Sequence, residues 1–196
     1  MLHHSHAAAT SFVATALAWT SMMAVMMTPT VWPWIGAYHR FAVMHANGAT
    51  RAWATTAFAS GYLAAWTIFS VVVALAQLVV TVPAGYGGGL LIAAGVFQLS
   101  PFKHACLSHC RNPLSFLLAH WKDGPRSAFE LGVMHGGYCV GCCWALMLTA
   151  LGAGLMSLWW MAALTLVTFV EQVSPWGARL RIPIGVALIA MGVARF

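Results

Sequence analysis

Long apolar runs, separated by short stretches rich in glycine, proline and basic residues, leave this chain few ways to fold. A helix needs about 20 apolar residues to cross the hydrocarbon core of a bilayer, and the sequence supplies such runs one after another. Charged residues make up only 6% of the 196 and hydrophobic residues 61%, whereas a soluble domain carries roughly 25% charged residues. The expectation is an all-α, polytopic transmembrane bundle, one domain over residues 1–196. There is room for several spans with short connections and none for a separate soluble domain, so any function lies in the bundle or its loops.

The turn signals divide the chain into about six spans. The first covers Ala8 to Met27 and is expected to stop at Thr28-Pro29, with Trp32-Pro33-Trp34 as an interfacial aromatic anchor. The second, Trp53 to Val82, is long enough to tilt. After the reversal at Gly85 to Gly89, a short third span runs from Leu90 to Leu99 and ends at Pro101. The fourth covers Ser127 to Ala150, the fifth Leu155 to Val173 and the sixth Ile182 to Val193.

Basic residues orient these spans. Arg40 and Arg51 fall in the first connection, Lys103, Arg111, Lys122 and Arg126 in the third, and Arg179 and Arg181 in the fifth, with Arg195 alone on the other side. The positive-inside rule then places those loops in the cytoplasm and both termini outside, as for a multi-pass protein of the bacterial inner membrane. The net charge of +6 is a topology signal, and its spread over three loops does not describe a nucleic-acid patch. Residues 1–10 lack Lys and Arg and no small-x-small site follows the apolar run, so the first helix is read as retained rather than as a cleaved signal.

The chemistry is concentrated in the fourth span. His135, Cys139, Cys142 and Cys143 fall within one helical sector of about 100°. Single cysteines in membrane helices are commonly packing residues, but three within five residues, one turn after a histidine, point to a metal site. At 1.5 Å per residue His135 lies about 12 Å and Cys142 about 22 Å along the helix. One compact four-ligand site on this helix is therefore difficult, and either other helices contribute or the residues mark a path. Met22, Met23, Met26 and Met27 in the first span lie at similar depth; as gap-fillers they suit a helix contact, the favoured reading, with thioether ligation as the alternative. Glu130 can pair with Arg126 at i, i+4. Glu171, within an apolar run, has no such neighbour, and intramembrane carboxylates are costly unless paired or functional.

Two further clusters are candidates. In the loop Lys103 to Arg111, Cys106 and Cys110 share a face if the stretch is helical, with His109 beside them and His120 later in the loop; nearby Lys103 and Arg111 would favour thiolates. Cys-x-x-x-Cys alone is a moderate metal signal. At the N-terminus, the α-amine and His3 offer the nitrogen set that divalent copper prefers, with a polar helix cap as the plain alternative.

Thiolate, thioether and imidazole donors suit monovalent copper, zinc or an iron-sulfur centre; the methionines favour copper, with zinc as the alternative. Pro101, Lys103, Cys106, His109-Cys110-Arg111, Met134-His135-Gly136, Cys139, Gly141-Cys142-Cys143-Trp144 and Met147 are similar to the bacterial DUF2182 family of predicted metal-binding integral membrane proteins, as is the Ala24-to-Pro29 end of the first span. The resemblance covers most of the chain and implies a polytopic protein with a metal site at Cys106, Cys110, His135, Cys139, Cys142 and Cys143. The leading expectation is a non-enzymatic protein of the lipid bilayer that binds, and moves or delivers, copper. An accessory subunit of a larger membrane metalloenzyme or electron-transfer complex, or a homo-oligomer, is the second reading. A thiol redox protein using Cys139-x-x-Cys142 is the third. Nothing indicates phosphoryl transfer or hydrolysis: the chain has no Gly-Lys-Ser/Thr loop and only three carboxylates.

Overall fold

The computed structural model describes the backbone of residues 2–44, 48–80, 86–153 and 157–195, and the side chains of 11–44, 50–80, 86–151 and 157–195. Among the described residues there are eight helices and no strand: α1 (Leu2–Val43), α2 (Gly48–Val79), α3 (Gly87–Leu99), α4 (Pro101–Arg111), α5 (Pro113–His120), α6 (Pro125–Ala153), α7 (Leu158–Val173) and α8 (Gly177–Val193). Three stretches are long and apolar enough to cross a membrane: Ser11–Val43, Thr50–Val79 and Pro125–Leu151. A fourth is added if α3 and α4, bent by 66°, count as one broken span. The helical membrane bundle is thus supported, while length and composition alone yield fewer crossings than six.

The first helix does not stop at Thr28-Pro29. It continues through Pro29 and Pro33 to Val43, so Arg40 lies within it, and Arg51 lies within α2 rather than in a connection. Each proline removes one backbone donor, but hydroxyls stand beside the gap: Thr28 Oγ1 donates to the Ala24 carbonyl at 2.6 Å and Thr30 Oγ1 to the Met27 carbonyl at 2.8 Å. Without water to take up freed groups, breaking the helix costs more than bending it. Trp34 likewise departs from the expected interfacial anchor. Trp32 is 71% exposed, but Trp34 is buried.

Glycine sets the tightest contacts. A Cβ on Gly132 would stand 2.9 Å from the Phe58 carbonyl carbon and 3.1 Å from Tyr62 N, and one on Gly136 2.7 Å from Ala65 Cβ. Positions thus rise together along α2 and α6, which run parallel with their backbones nearly touching. Small residues permit this approach, which is how helices associate where lipid offers no hydrophobic driving force. Helices α3 and α8 use the same device in antiparallel register, Gly95 against Gly185 and Gly192 against Gly88.

The bend between α3 and α4 is held by side-chain hydrogen bonds on both sides. Ser100 Oγ accepts from Lys103 N at 3.2 Å, with Pro101 opening α4, an N-cap and first-turn proline pairing. At the other side, Arg181 Nη1 of α8 donates to the carbonyls of Leu99 at 3.3 Å and Ser100 at 3.4 Å. Helix interruptions at membrane depth persist only when such groups are satisfied inside the protein.

Lys103 is therefore not a loop residue. It is fully buried and its Nζ lies 2.6 Å from Glu171 Oε2 of α7, with Gln98 of α3 hydrogen-bonded to both. Glu171, which has no partner nearby in sequence, finds one 68 residues away. Arg111 closes the same α4–α7 contact, donating to the Glu171 carbonyl at 2.8 Å and the Pro175 carbonyl at 2.9 Å. The Arg126–Glu130 pair forms as expected at 3.1 Å and stands in the open.

Candidate metal centre

Helix α6 carries Cys139, Cys142 and Cys143 at i, i+3 and i+4, so their side chains leave one face. All three are buried, and their sulfurs lie within 4.8 Å of one another. The Cys142 and Cys143 sulfurs are 3.2 Å apart. A metal–sulfur bond of about 2.3 Å places sulfurs roughly 4 Å apart around a shared ion, so small side-chain adjustments suffice to enclose one. The thiols of all five cysteines are free.

A fourth sulfur comes from α4. The expectation that Cys106 and Cys110 share a helical face holds, but not their position in a cytoplasmic loop: both are buried against α6. Cys110 Sγ lies 4.0 Å from Cys142 Sγ. Cys106 packs on Gly141, where a Cβ would come within 3.1 Å of its sulfur. The bend after α3 is the cause, since it lays α4 antiparallel along α6 rather than releasing it to the surface. Lys103 and Arg111 direct their hydrogen bonds to Glu171 and the end of α7.

Amide and hydroxyl groups surround the sulfurs. Gln172 Nε2 of α7 stands 3.4 Å from Cys139 Sγ, 3.9 Å from Cys142 Sγ and 3.3 Å from Cys143 Sγ. Tyr62 Oη of α2 is 3.3 Å from Cys139 Sγ and 3.3 Å from Thr30 Oγ1 of α1. Outer partners of this kind orient soft ligands and tune their basicity. Sequence reasoning missed Gln172, Gln98 and Tyr62, although each is a polar group within an apolar run, which is itself a signal in a membrane helix.

The other candidates stand apart from the sulfurs. His135 is buried and stacks on Trp34 with ring centroids 3.7 Å apart, within reach of Phe58, Tyr62 and Phe116. Its Nδ1 has no hydrogen-bond partner, and it is not among the convergent ligands. Trp34 Nε1 donates to the Cys110 carbonyl at 2.9 Å, which ties α1 to the end of α4. His109 is exposed and stacks on Tyr138 at 4.3 Å. Met22 and Met26 are buried on α1 and line apolar cavities shared with Met161 of α7. The methionine linked to the thiols is instead Met27, whose sulfur is 4.0 Å from Thr30 Oγ1. His3 lies outside the residues whose side chains are described.

This donor set suits a soft metal ion such as monovalent copper or zinc. Three thiols converge, a fourth stands beside them, and no carboxylate belongs to the group. A family model described as PpoB2, copper chaperone, matches residues 16–195. The chain belongs to that family, in agreement with the metal-binding character implied by its DUF2182-like motifs. No curated protein and no solved structure matches it.

Proposed function

From membership in a copper-chaperone family, we propose that this protein is a multi-pass copper chaperone of the bacterial inner membrane. It holds Cu(I) as cargo at Cys139, Cys142 and Cys143, with Cys110 as the fourth sulfur, and delivers it to a copper-requiring partner. The observation that carries this reading is the convergence of three buried α6 sulfurs within 4.8 Å, joined by Cys110 from a second helix. Gln172 donates to the sulfurs once they are thiolates, and the dry surroundings protect the ion from water and oxidants.

The helix pairings support six crossings, with α3 and α4 together forming the third. Helices α1 and α2 are antiparallel, joining Trp19 to Gln77 at one end and His39 to Thr55 at the other. Parallel α2 and α6, antiparallel α3 and α8, and antiparallel α6 and α7 fit one alternating path. Arg40, Arg51, Arg111, Lys122, Arg126, Arg179 and Arg181 then lie toward the cytoplasm, with Lys103 buried inside the third crossing and Arg195 on the other side, and both termini lie outside.

Protein purified anaerobically in lipid nanodiscs is expected to bind one Cu(I) per chain against a chromophoric competitor, with sulfur scattering in the X-ray absorption spectrum. The Cys142→Ser/Cys143→Ser variant is expected to lose it. Tighter retention of zinc than of Cu(I), or stoichiometric copper in that variant, would refute the proposal. Co-purification in mild detergent then identifies the recipient.

A further inference from the structure

The sulfur cluster is sealed: Cys139 and Cys142 have no exposed surface and Cys143 has 1%. An ion must reach it through the protein, and one side of the molecule carries a graded set of donors. Between α4 and α5 lies a cavity of about 280 Å³ whose lining includes His109, Asn112, Ser115, Phe116 and His120. Both histidines are exposed.

Their rings are held in a defined state. His109 Nδ1 lies 2.9 Å from the Ala105 carbonyl and His120 Nδ1 3.0 Å from the Phe116 carbonyl. A carbonyl only accepts, so each Nδ1 carries a proton and Nε2 is the nitrogen each ring offers to a metal. An imidazole whose remote N–H is bound to a backbone carbonyl is the usual arrangement of a metal-ligating histidine.

A second observation lies beneath the cavity. Phe116 forms part of its floor and contacts His120 on one side, with centroids 5.0 Å apart, and His135 on the other, 6.1 Å apart. The buried His135 Nδ1 has no partner, and an orphaned polar atom in a dry core is costly. His135 is one helical turn before Cys139, on the same face of α6. Imidazoles thus stand on both sides of Phe116, the inner one a single turn from the thiols.

We propose that the His109/His120 cavity is a docking vestibule for Cu(I), and that His135 is the intermediate donor through which the ion passes to Cys139. This rests on the copper-binding reading of the cysteine cluster. The copper remains monovalent throughout, the imidazoles act as neutral donors, and protons displaced at the thiols go to water. The vestibule holds the ion weakly, with neutral nitrogen ligands, and the sulfurs hold it tightly, so the affinity gradient runs inward.

The test uses the reduced, metal-free full chain in nanodiscs, loaded from Cu(I)-glutathione and followed by the ultraviolet thiolate–copper band. Removing a donor that concentrates the ion locally is expected to slow loading of His109→Ala/His120→Ala by about tenfold or more. The final stoichiometry should be unchanged. His135→Phe, which keeps a ring against Trp34, should also load slowly. Wild-type rates in both variants would overturn the route, and lost stoichiometry in the His109/His120 variant would show those residues to be resident ligands instead. Independently, silver(I) is titrated into the chain with Cys110, Cys139, Cys142 and Cys143 changed to Ser, monitored by nitrogen-15 imidazole resonances. Shifts at Nε2 of His109 and His120 are expected, and unshifted resonances would overturn the vestibule. This second arm also decides the question if wild type binds no copper, an outcome that would refute the chaperone reading itself.

Discussion

Gly136 and Gly137 are neighbours on α6 and should respond oppositely to the same added methyl group. At Gly137 a Cβ meets nothing within 4 Å, whereas at Gly136 it would lie 2.7 Å from Ala65 Cβ and 3.1 Å from the Tyr62 carbonyl oxygen. Ordinary contact begins at 3.4 Å, so α2 and α6 must separate by about 0.7 Å at this level, a shift neither backbone can absorb by a rotamer change. Overpacking of this kind costs about 1–3 kcal/mol, against a helix-propensity gain of about 0.5–1 kcal/mol on replacing glycine by alanine. Gly136→Ala is thus expected to destabilise by about 1–2 kcal/mol, while Gly137→Ala is neutral or stabilising by up to about 1 kcal/mol. The separation also carries Tyr62 Oη away from Cys139 Sγ, now 3.3 Å distant, so copper affinity should fall in the first variant only. Reversible unfolding in mixed micelles, followed by tryptophan fluorescence, measures the first effect and chelator competition the second. Equal stability of the two variants would refute the close α2–α6 approach.

Other perturbations separate the remaining interactions. Lys103→Met leaves Glu171 buried without its cation and should destabilise by about 3–5 kcal/mol; Lys103→Met/Glu171→Leu should recover much of that in the same unfolding assay. Arg126→Ala removes an exposed i, i+4 pair and should change stability by less than about 0.5 kcal/mol. Copper affinity should rise with pH by about tenfold per unit for each thiol that ionises on binding, so the slope of competition titrations counts the thiolate ligands. Cys110→Ser should weaken retention less than Cys139→Ser, because Cys110 approaches from a different helix; equal losses would make it an obligatory ligand.

The residues that speak through local spacing were legible. Cys139, Cys142 and Cys143 sit at helical intervals on one uninterrupted segment, so their convergence follows from the geometry of a single helix. Arg126 and Glu130 are legible for the same reason. What the local pattern hides depends on partners far along the chain or on the solvent. Two prolines ordinarily end a helix, yet α1 runs through both to Val43, because without water to take up freed backbone groups a bent helix is cheaper than a broken one. A lysine near a proline reads as a loop residue until Glu171, 68 positions later, is placed beside it. Cys110 reaches the cluster through the 66° bend at Ser100-Pro101, an angle no sequence period encodes. Gln172 was overshadowed by the charge of Glu171 next to it, although the amide is the group that faces the sulfurs.

The Lys103–Glu171 pair also makes an early helix depend on a late one. A lone lysine at the middle of a bilayer costs about 3 kcal/mol or more, and α4 has only 11 residues with which to offset it. While the chain is being synthesised, α6 can settle in the membrane before α7 has emerged, but Lys103 has no counter-ion until Glu171 arrives. The helix that brings Cys110 to the other sulfurs therefore has its buried cation neutralised only by a segment made later in the chain. Closure of the site is in this way tied to completion of the bundle, so a chain truncated before Glu171 lacks the ion pair that anchors α4 beside α7.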